Sequence, residues 1–253
     1  MVYTTRRQKS GPSNLRPLST TFAQTLNPMA SGKCNGGEPF KVEAESEQLT
    51  AQILDLDDEV LSYAPQAIGV DLIHGTLLLT AADRNRARSE HKGKPPPCVY
   101  TGDFSVLNLR SPKQAVETKL DAFTGDEVYH EKIARAAGVL ERHGWEFVRL
   151  VLPADQTRPI WSNVALVCQA SARKDLWPSS TIVDQIATLA HAGAATARDY
   201  LLPLGLDNRS LPILIACGAL RADLEAAHLS AATTVAAAYG DRSHLALLGR
   251  FTT

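Results

Sequence analysis

The sequence predicts a mixed α/β protein: an α+β core built on a mixed sheet flanked by helices, followed by a small helical domain. Three observations lead there. Between residues 42 and 171, segments with helical spacing of apolar residues alternate with short runs rich in Val, Tyr, Phe and Leu. The order helix, antiparallel strands, helix, strand, helix is what a mixed sheet with helices on its faces requires. From residue 177 onward the composition shifts toward Ala and Leu, with helical stripes and little strand signal. The chain divides accordingly into a flexible basic arm over 1–40, a core domain over 41–175 and a helical domain over 176–253.

Residues 1–40 are rich in Ser, Thr, Gly, Pro and Asn, and carry Arg6, Arg7, Lys9, Arg16 and Lys33 against Glu38 alone. Such an arm is either a disordered leader or a segment that follows a phosphate backbone, and it can be both. Structure begins near Val42. Leu49, Ile53 and Leu54 fall at helical spacing behind Glu43, Glu45 and Glu47, acidic residues that suit a helix amino end. Asp57 and Asp58 break this helix, a strand starts at Val60, and Pro65 stops it. Residues 68–80 read as two short strands around His74-Gly75.

Residues 83–97 hold Arg84, Arg86, Arg88, Lys92 and Lys94 and close with three prolines. They read as a long hairpin tip or loop, either a solvated surface or a contact for DNA. Strands are expected over 99–109 and 114–120, turning at Ser111-Pro112-Lys113. Residues 126–143 form a helix with Tyr129, Ile133, Ala136, Ala137 and Leu140 as its apolar stripe, and Gly144 sits where a C′ glycine belongs. An apolar strand over 145–152 and a helix over 163–171 complete the core. In the last domain, Ile182, Ile186 and Leu189 mark one helix, with others near Tyr200-Leu201 and over 211–220. Residues 231–239 are helix or wing. This is a helix-turn-helix or winged-helix module, or a packing module that never touches nucleic acid.

Composition excludes several classes. A formal net charge of −1 gives no global sign of a polyanionic partner, although a local basic patch is enough to bind phosphates. Cys34, Cys98, Cys168 and Cys217 form no C-x-x-C pair, so neither a zinc ribbon nor a disulfide framework is indicated. The amino terminus has no apolar stretch of a secretory signal, and no apolar run approaches the roughly eighteen residues that span a bilayer. The protein is expected to be soluble, intracellular and cytoplasmic, without a membrane partner. The seven histidines show no H-x-x-x-H or other ligand pair and read as ordinary surface or core residues. There is no G-x-S-x-G elbow and no Walker-type glycine loop.

The chemistry lies in Asp103, on the segment Val99-Tyr100-Thr101-Gly102-Asp103-Phe104, and in Glu117-Thr118-Lys119 fourteen residues later. If the two segments are neighbouring strands, Asp103 and Glu117 meet at one end of the hairpin. Side chains alternate along a strand, so Glu117 and Lys119 share a face. Two carboxylates and an ammonium then converge. Hydrolysis of a phosphodiester uses such a set: carboxylate oxygens hold Mg²⁺, with Mn²⁺ able to substitute, and lysine orients or helps deprotonate the attacking water.

The pattern Asp-x(n)-Glu-x-Lys resembles that of PD-(D/E)XK nucleases, whose core is restriction-endonuclease-like. Over roughly residues 43–172 the chain is similar to the TnsA-type endonuclease subunit of heteromeric cut-and-paste DNA transposases. Glu47 on an early helix, the acidic turn 55–58, Val60 and Gln66 follow that family's pattern. Tyr100-Thr101-Gly102-Asp103-Phe104 resembles its Y-x-P-D-F motif, and Glu117-Thr118-Lys119 its carboxylate-or-amide, spacer, lysine motif. The segment 144–147 and the helix at Asn163 also resemble it. Two positions depart: Gly102 stands where the family has proline, and Pro65 precedes Gln66 where the usual order is reversed.

The resemblance implies Glu47 as a helix-borne metal ligand, with Glu45 as the alternative. It implies Asp103 and Glu117 as sheet-borne ligands, Lys119 as the residue that positions water, and Gln66 as support. It also implies cleavage of double-stranded DNA at the 5′ ends of a mobile element. The partners would be a DDE-type transposase and an AAA+ ATPase regulator, contacted through the carboxy-terminal domain. Two other readings compete: a stand-alone restriction or repair nuclease, and a catalytically silent DNA-binding scaffold on the same fold.

Overall fold

The computed structural model describes residues 27–29, 31–34, 37, 39–109 and 113–253. Arg6, Arg7, Lys9, Arg16 and Glu38 of the arm, and Ser111-Pro112 of the expected turn, lie outside the described residues. The chain forms two compact units, one of residues up to 48 with 60–152 and Thr253, the other of 49–59 with 153–252. The division therefore falls ahead of residue 175.

In the first unit, β1 (Asn27–Met29) pairs antiparallel with β2 (Phe40–Val42). Helix α1 (Glu45–Leu56), whose first four residues belong to this unit and the rest to the second, starts with Glu45 and Glu47 in its first turn, where the helix dipole favours negative charge. Then come β3 (Val60–Pro65), β4 (Gly69–Asp71) and β5 (Thr76–Leu78). Next are α2 (Ala81–Glu90), β6 (Val99–Thr101), β7 (Phe104–Asn108), β8 (Lys113–Leu120), α3 (Glu127–Arg142) and β9 (Trp145–Leu152).

The main sheet has the order β3-β7-β8-β9. β3 and β8 run antiparallel to β7, while β9 returns parallel to β8 after the α3 crossover. A parallel pair needs such a crossover, because no tight turn can reverse the chain twice. Strand β8 is buried from Gln114 through Thr118, as a strand covered on both faces must be. A three-stranded sheet, β5-β4-β6, is antiparallel throughout. Its Val70 and Tyr100 share one core with Ile68, Leu72, Ala115 and, from α3, Ala136, Val139 and Leu140.

Residues 83–97 are not a hairpin tip. Residues 81–90 form helix α2, started by a capping box in which Thr80 Oγ1 accepts from the Asp83 N–H and Asp83 caps the Thr80 N–H in return. Only Arg84 and Ala87 of this helix are buried, so its apolar stripe is too narrow to show as a helical period in the sequence.

The second unit holds α4 (Pro159–Ala172), α5 (Ser180–His191), α6 (Ala197–Leu201) and α7 (Leu211–Ala216), with an antiparallel pair β10 (Leu220–Ala222) and β11 (Val235–Ala237). Residues 231–239, expected as helix or wing, are not helical and contribute the three-residue strand β11. Asn163 explains why α4 belongs here. Its fully buried side chain donates to the carbonyls of Leu224 (2.9 Å) and Ala227 (2.8 Å) and accepts from the Leu229 N–H (3.1 Å). No helix among the described residues is long and apolar enough to cross a membrane.

Candidate active site

Strand pairing brings the central residues together. Phe104 stands opposite Val116, and Ser105 opposite Ala115, so one step outward places Asp103 across from Glu117. Asp103 Oδ2 accepts the Thr118 N–H at 2.8 Å, which fixes the carboxyl group over the neighbouring strand. Lys119, two residues beyond Glu117 on the same face, reaches back so that Nζ lies 2.7 Å from Glu117 Oε1 and donates to Thr118 O at 2.9 Å. The second oxygen of Glu117 accepts the Tyr100 hydroxyl at 3.0 Å. Glu117 and Tyr100 are buried, and Lys119 is partly exposed at the rim.

Supporting groups hold this cluster from three sides. Gln66, buried and in the left-handed region at φ +49°, donates its backbone N–H to Asp103 O at 2.7 Å. Its side-chain Oε1 is buried and has no hydrogen-bond partner among the described residues. Glu47 Oε2 accepts the Glu43 N–H at 2.8 Å, and its charge acts on Asp103, whereas Glu45 is exposed at the helix start. On the third side, Nζ of Lys119 lies 5.6 Å from the Phe123 ring and 5.7 Å from the Tyr129 ring. Tyr129 is placed by the Asp126 cap on its N–H (2.7 Å) and by the turn at Gly125, φ +71°. A Cβ at 125 would stand 2.5 Å from Tyr129 Cδ1, so glycine is required there. At Gly102, a Cβ would come within 3.3 Å of the Tyr100 hydroxyl, tighter than ordinary contact, which accounts for a small residue at that position.

The electrostatics follow from crowding. Asp103 keeps partial exposure as a residue, yet its carboxyl group is enclosed by protein atoms. Burial and then the Glu117 charge, with a further push from Glu47, hold its pKa well above the usual carboxylate value, against Lys119 and the Thr118 N–H. Burial works to depress the Lys119 pKa, but Asp103 and Glu117 outweigh it, so the ammonium is raised above its ordinary value. Tyr100 is pushed well up, first by burial and then by Glu117, and stays a hydrogen-bond donor. The Tyr129 phenol is raised for the same two causes, and its hydroxyl is buried without a partner among the described residues.

Hard carboxylate oxygens crowded beyond what one lysine neutralises are a donor set that fits Mg²⁺ or Mn²⁺. Asp103, Glu117 and Glu47 are the residues that would hold such an ion.

The basic candidates separate into two groups. Arg84 is fully buried, and its guanidinium donates to Thr101 Oγ1 at 3.3 Å, so it serves the fold and is withdrawn as a DNA contact. Its place on the inner face of α2 leaves no periodic apolar signal in the sequence, because Ala87 is the one other buried residue of that helix. Arg86, Arg88, Lys92 and Lys94 are exposed. Sequence reasoning gave no role to Tyr100, Thr118 or Tyr129. Tyr100 lay inside the quoted motif, and Tyr129 was indistinguishable from a core residue of the α3 stripe.

No protein-family model matches this chain, and no curated protein matches it significantly.

Proposed function

We propose that the protein is a divalent-metal-dependent DNA endonuclease with a PD-(D/E)XK core, acting as the nuclease subunit of a transposase. One observation carries the reading: Asp103, Glu117 and Lys119 converge at one end of the β7–β8 pair, with Glu47 of α1 in the same electrostatic field. The chain path supports it. The main sheet takes β3, β7 and β8 antiparallel and then β9 parallel after the α3 crossover, as such a core needs, with β4, β5, α2 and β6 inserted between β3 and β7.

The roles of the residues follow from their contacts. Asp103, Glu117 and Glu47 present the oxygens that would hold Mg²⁺, which supplies positive charge for the phosphoryl oxygens and acidifies water. Lys119 acts as a donor: its ammonium already bridges Glu117 Oε1 and Thr118 O, the place from which it orients a water against phosphorus. Tyr100 fixes Glu117 in one rotamer, and the Thr118 N–H does the same for Asp103. In the net reaction the water oxygen bonds to phosphorus, one P–O ester bond breaks, and the leaving oxygen takes up a proton. Arg86, Arg88, Lys92 and Lys94 supply exposed cations for the phosphate backbone. The mobile-element ends, the DDE-type transposase and the AAA+ regulator enter this reading as the substrate and partners that a nuclease lacking a strong positive charge needs for targeting.

The test is cleavage of supercoiled and element-end DNA in Mg²⁺ and in Mn²⁺ by the full chain. It is run alone and with its transposase, beside Asp103→Ala and Lys119→Ala. Cutting should fall by at least about 10²-fold in each variant. Cutting retained by either variant removes the assignment.

A further inference from the structure

A second constellation lies away from the carboxylate site, at the junction of β4 and the end of α2. Asp71 ends β4, His74 follows in the turn to β5, and His91 caps α2. Asp71 Oδ2 lies 2.8 Å from His91 Nε2 and 3.0 Å from His74 Nδ1. One ligand atom from each of the three residues lies within 4.8 Å of the other two. We infer that Asp71, His74 and His91 form a binding site for one zinc-like transition-metal ion, which staples helix α2 to the β4–β5 turn.

The geometry is built for an ion. Asp71 Oδ1 is held by two backbone N–H groups, Ile73 at 2.9 Å and His74 at 3.0 Å, so the turn itself aims Oδ2 at both imidazoles. Asp71 and His91 are buried, while His74 is 44 % exposed and leaves a path from solvent. His74 stands between two carboxylates, with Nδ1 toward Asp71 and Nε2 3.5 Å from Glu90 Oε1. A cation bound here takes the place of the proton that His74 Nδ1 and Asp71 Oδ2 share in the hydrogen bond between them. A carboxylate on the far nitrogen is also the usual way a ligand histidine is oriented.

In a tetrahedral zinc site, ligand atoms stand about 3.4 Å apart. The two Asp71–histidine pairs, at 2.8 and 3.0 Å, need to open by only about half an ångström, and the histidine nitrogens lie within 4.8 Å of each other. Two imidazole nitrogens and one oxygen suit zinc and its neighbours rather than Mg²⁺, which prefers an all-oxygen shell with several waters. Lys94 Nζ, 3.3 Å from His91 Nδ1, opposes a cation here, but it sits on an exposed, long side chain that can swing out. The sequence hid the site because His91 is seventeen residues beyond His74, across a helix.

The experiment is titration of the chelator-treated full chain with Zn²⁺ by calorimetry, with metal content checked by elemental analysis and Co²⁺ spectra as a second readout. The same is done for His74→Ala, an exposed ligand whose loss spares the core, and for Asp103→Asn. One ion per chain is expected in the wild type and in Asp103→Asn. In His74→Ala the affinity should fall by at least about 10²-fold and the Co²⁺ ligand-field bands should vanish. No stoichiometric ion in the wild type, or unchanged binding in His74→Ala, overturns the site and leaves the triad a hydrogen-bonded clamp. Loss of the ion in Asp103→Asn alone would likewise place it at the carboxylate cluster and overturn it.

Discussion

Replacing Asp103 with asparagine is expected to stabilise the metal-free protein while it removes cleavage. The carboxyl group faces Glu117 across paired strands, where Cβ atoms stand about 5 Å apart. At an effective dielectric of about 20, two like charges at that distance repel by about 3 kcal/mol. Lys119 returns part of this through its contact with Glu117, and Glu47 adds to the repulsion, so Asp103 remains raised above its ordinary pKa. Asparagine keeps an acceptor for the Thr118 N–H and deletes the charge, so a gain of about 1–2 kcal/mol is expected at pH 7.5.

The pH dependence has a definite sign. Folded Asp103 holds its proton to higher pH than the unfolded chain does, so wild-type stability declines as pH rises from near 3.8 through the folded pKa. The variant lacks that titration, and the difference between the two should shrink toward pH 4. Urea unfolding in a chelator at several pH values measures it. Adding Mg²⁺ should reverse the order by raising the wild type, by about 2.7 kcal/mol at a hundred times its dissociation constant, and the variant by less. An Asp103→Asn protein that is less stable than wild type at neutral pH without metal would refute the crowded-charge account.

Four further outcomes are expected. Tyr100→Phe strips a buried hydrogen bond from Glu117 and should cost about 1–3 kcal/mol in urea unfolding; a change under about 0.3 kcal/mol would mean the 3.0 Å contact carries little. Asn163→Ala leaves two carbonyls and one N–H without partners and should destabilise the second unit by about 2–4 kcal/mol, and a neutral result would contradict the burial of that side chain. His244 has its pKa lowered chiefly by burial, which outweighs the backbone contact and the charge of Asp241. The stability tied to it should be complete above about pH 6.5 and decline as pH falls below that value, and His244→Leu should flatten the slope, which melting curves across this range would show. Removing residues 1–26, which carry Arg6, Arg7, Lys9 and Arg16, should weaken DNA binding and lower its salt dependence; identical salt slopes would make the arm a leader only.

Local rules in the sequence determined much of the first unit. The α3 helix, its Asp126 start and the strand after Gly144 are legible because apolar period, cap and stop signals agree along a few adjacent residues. The alternation of strand side chains likewise suffices to put Glu117 and Lys119 on one face. Where a segment draws its stability from elsewhere, the local signal fails. Helix α2 has seven polar or charged residues among ten and buries only two residues, and its inner arginine is held by Thr101, a residue on a strand seventeen positions later.

Long-range contacts decided the rest. Pairing between β7 and β8 brought Asp103 to Glu117, and the packing of β6 behind them brought in Tyr100, whose contribution no spacing rule encodes. The same holds for Asp71, His74 and His91, which meet only because α2 folds its end back onto β4. Sequence alone determines which groups a chain owns and which face each local element turns inward. Which of those groups share a few ångströms of space depends on strand register and helix docking, because burial and charge are properties of the folded neighbourhood and not of the residue.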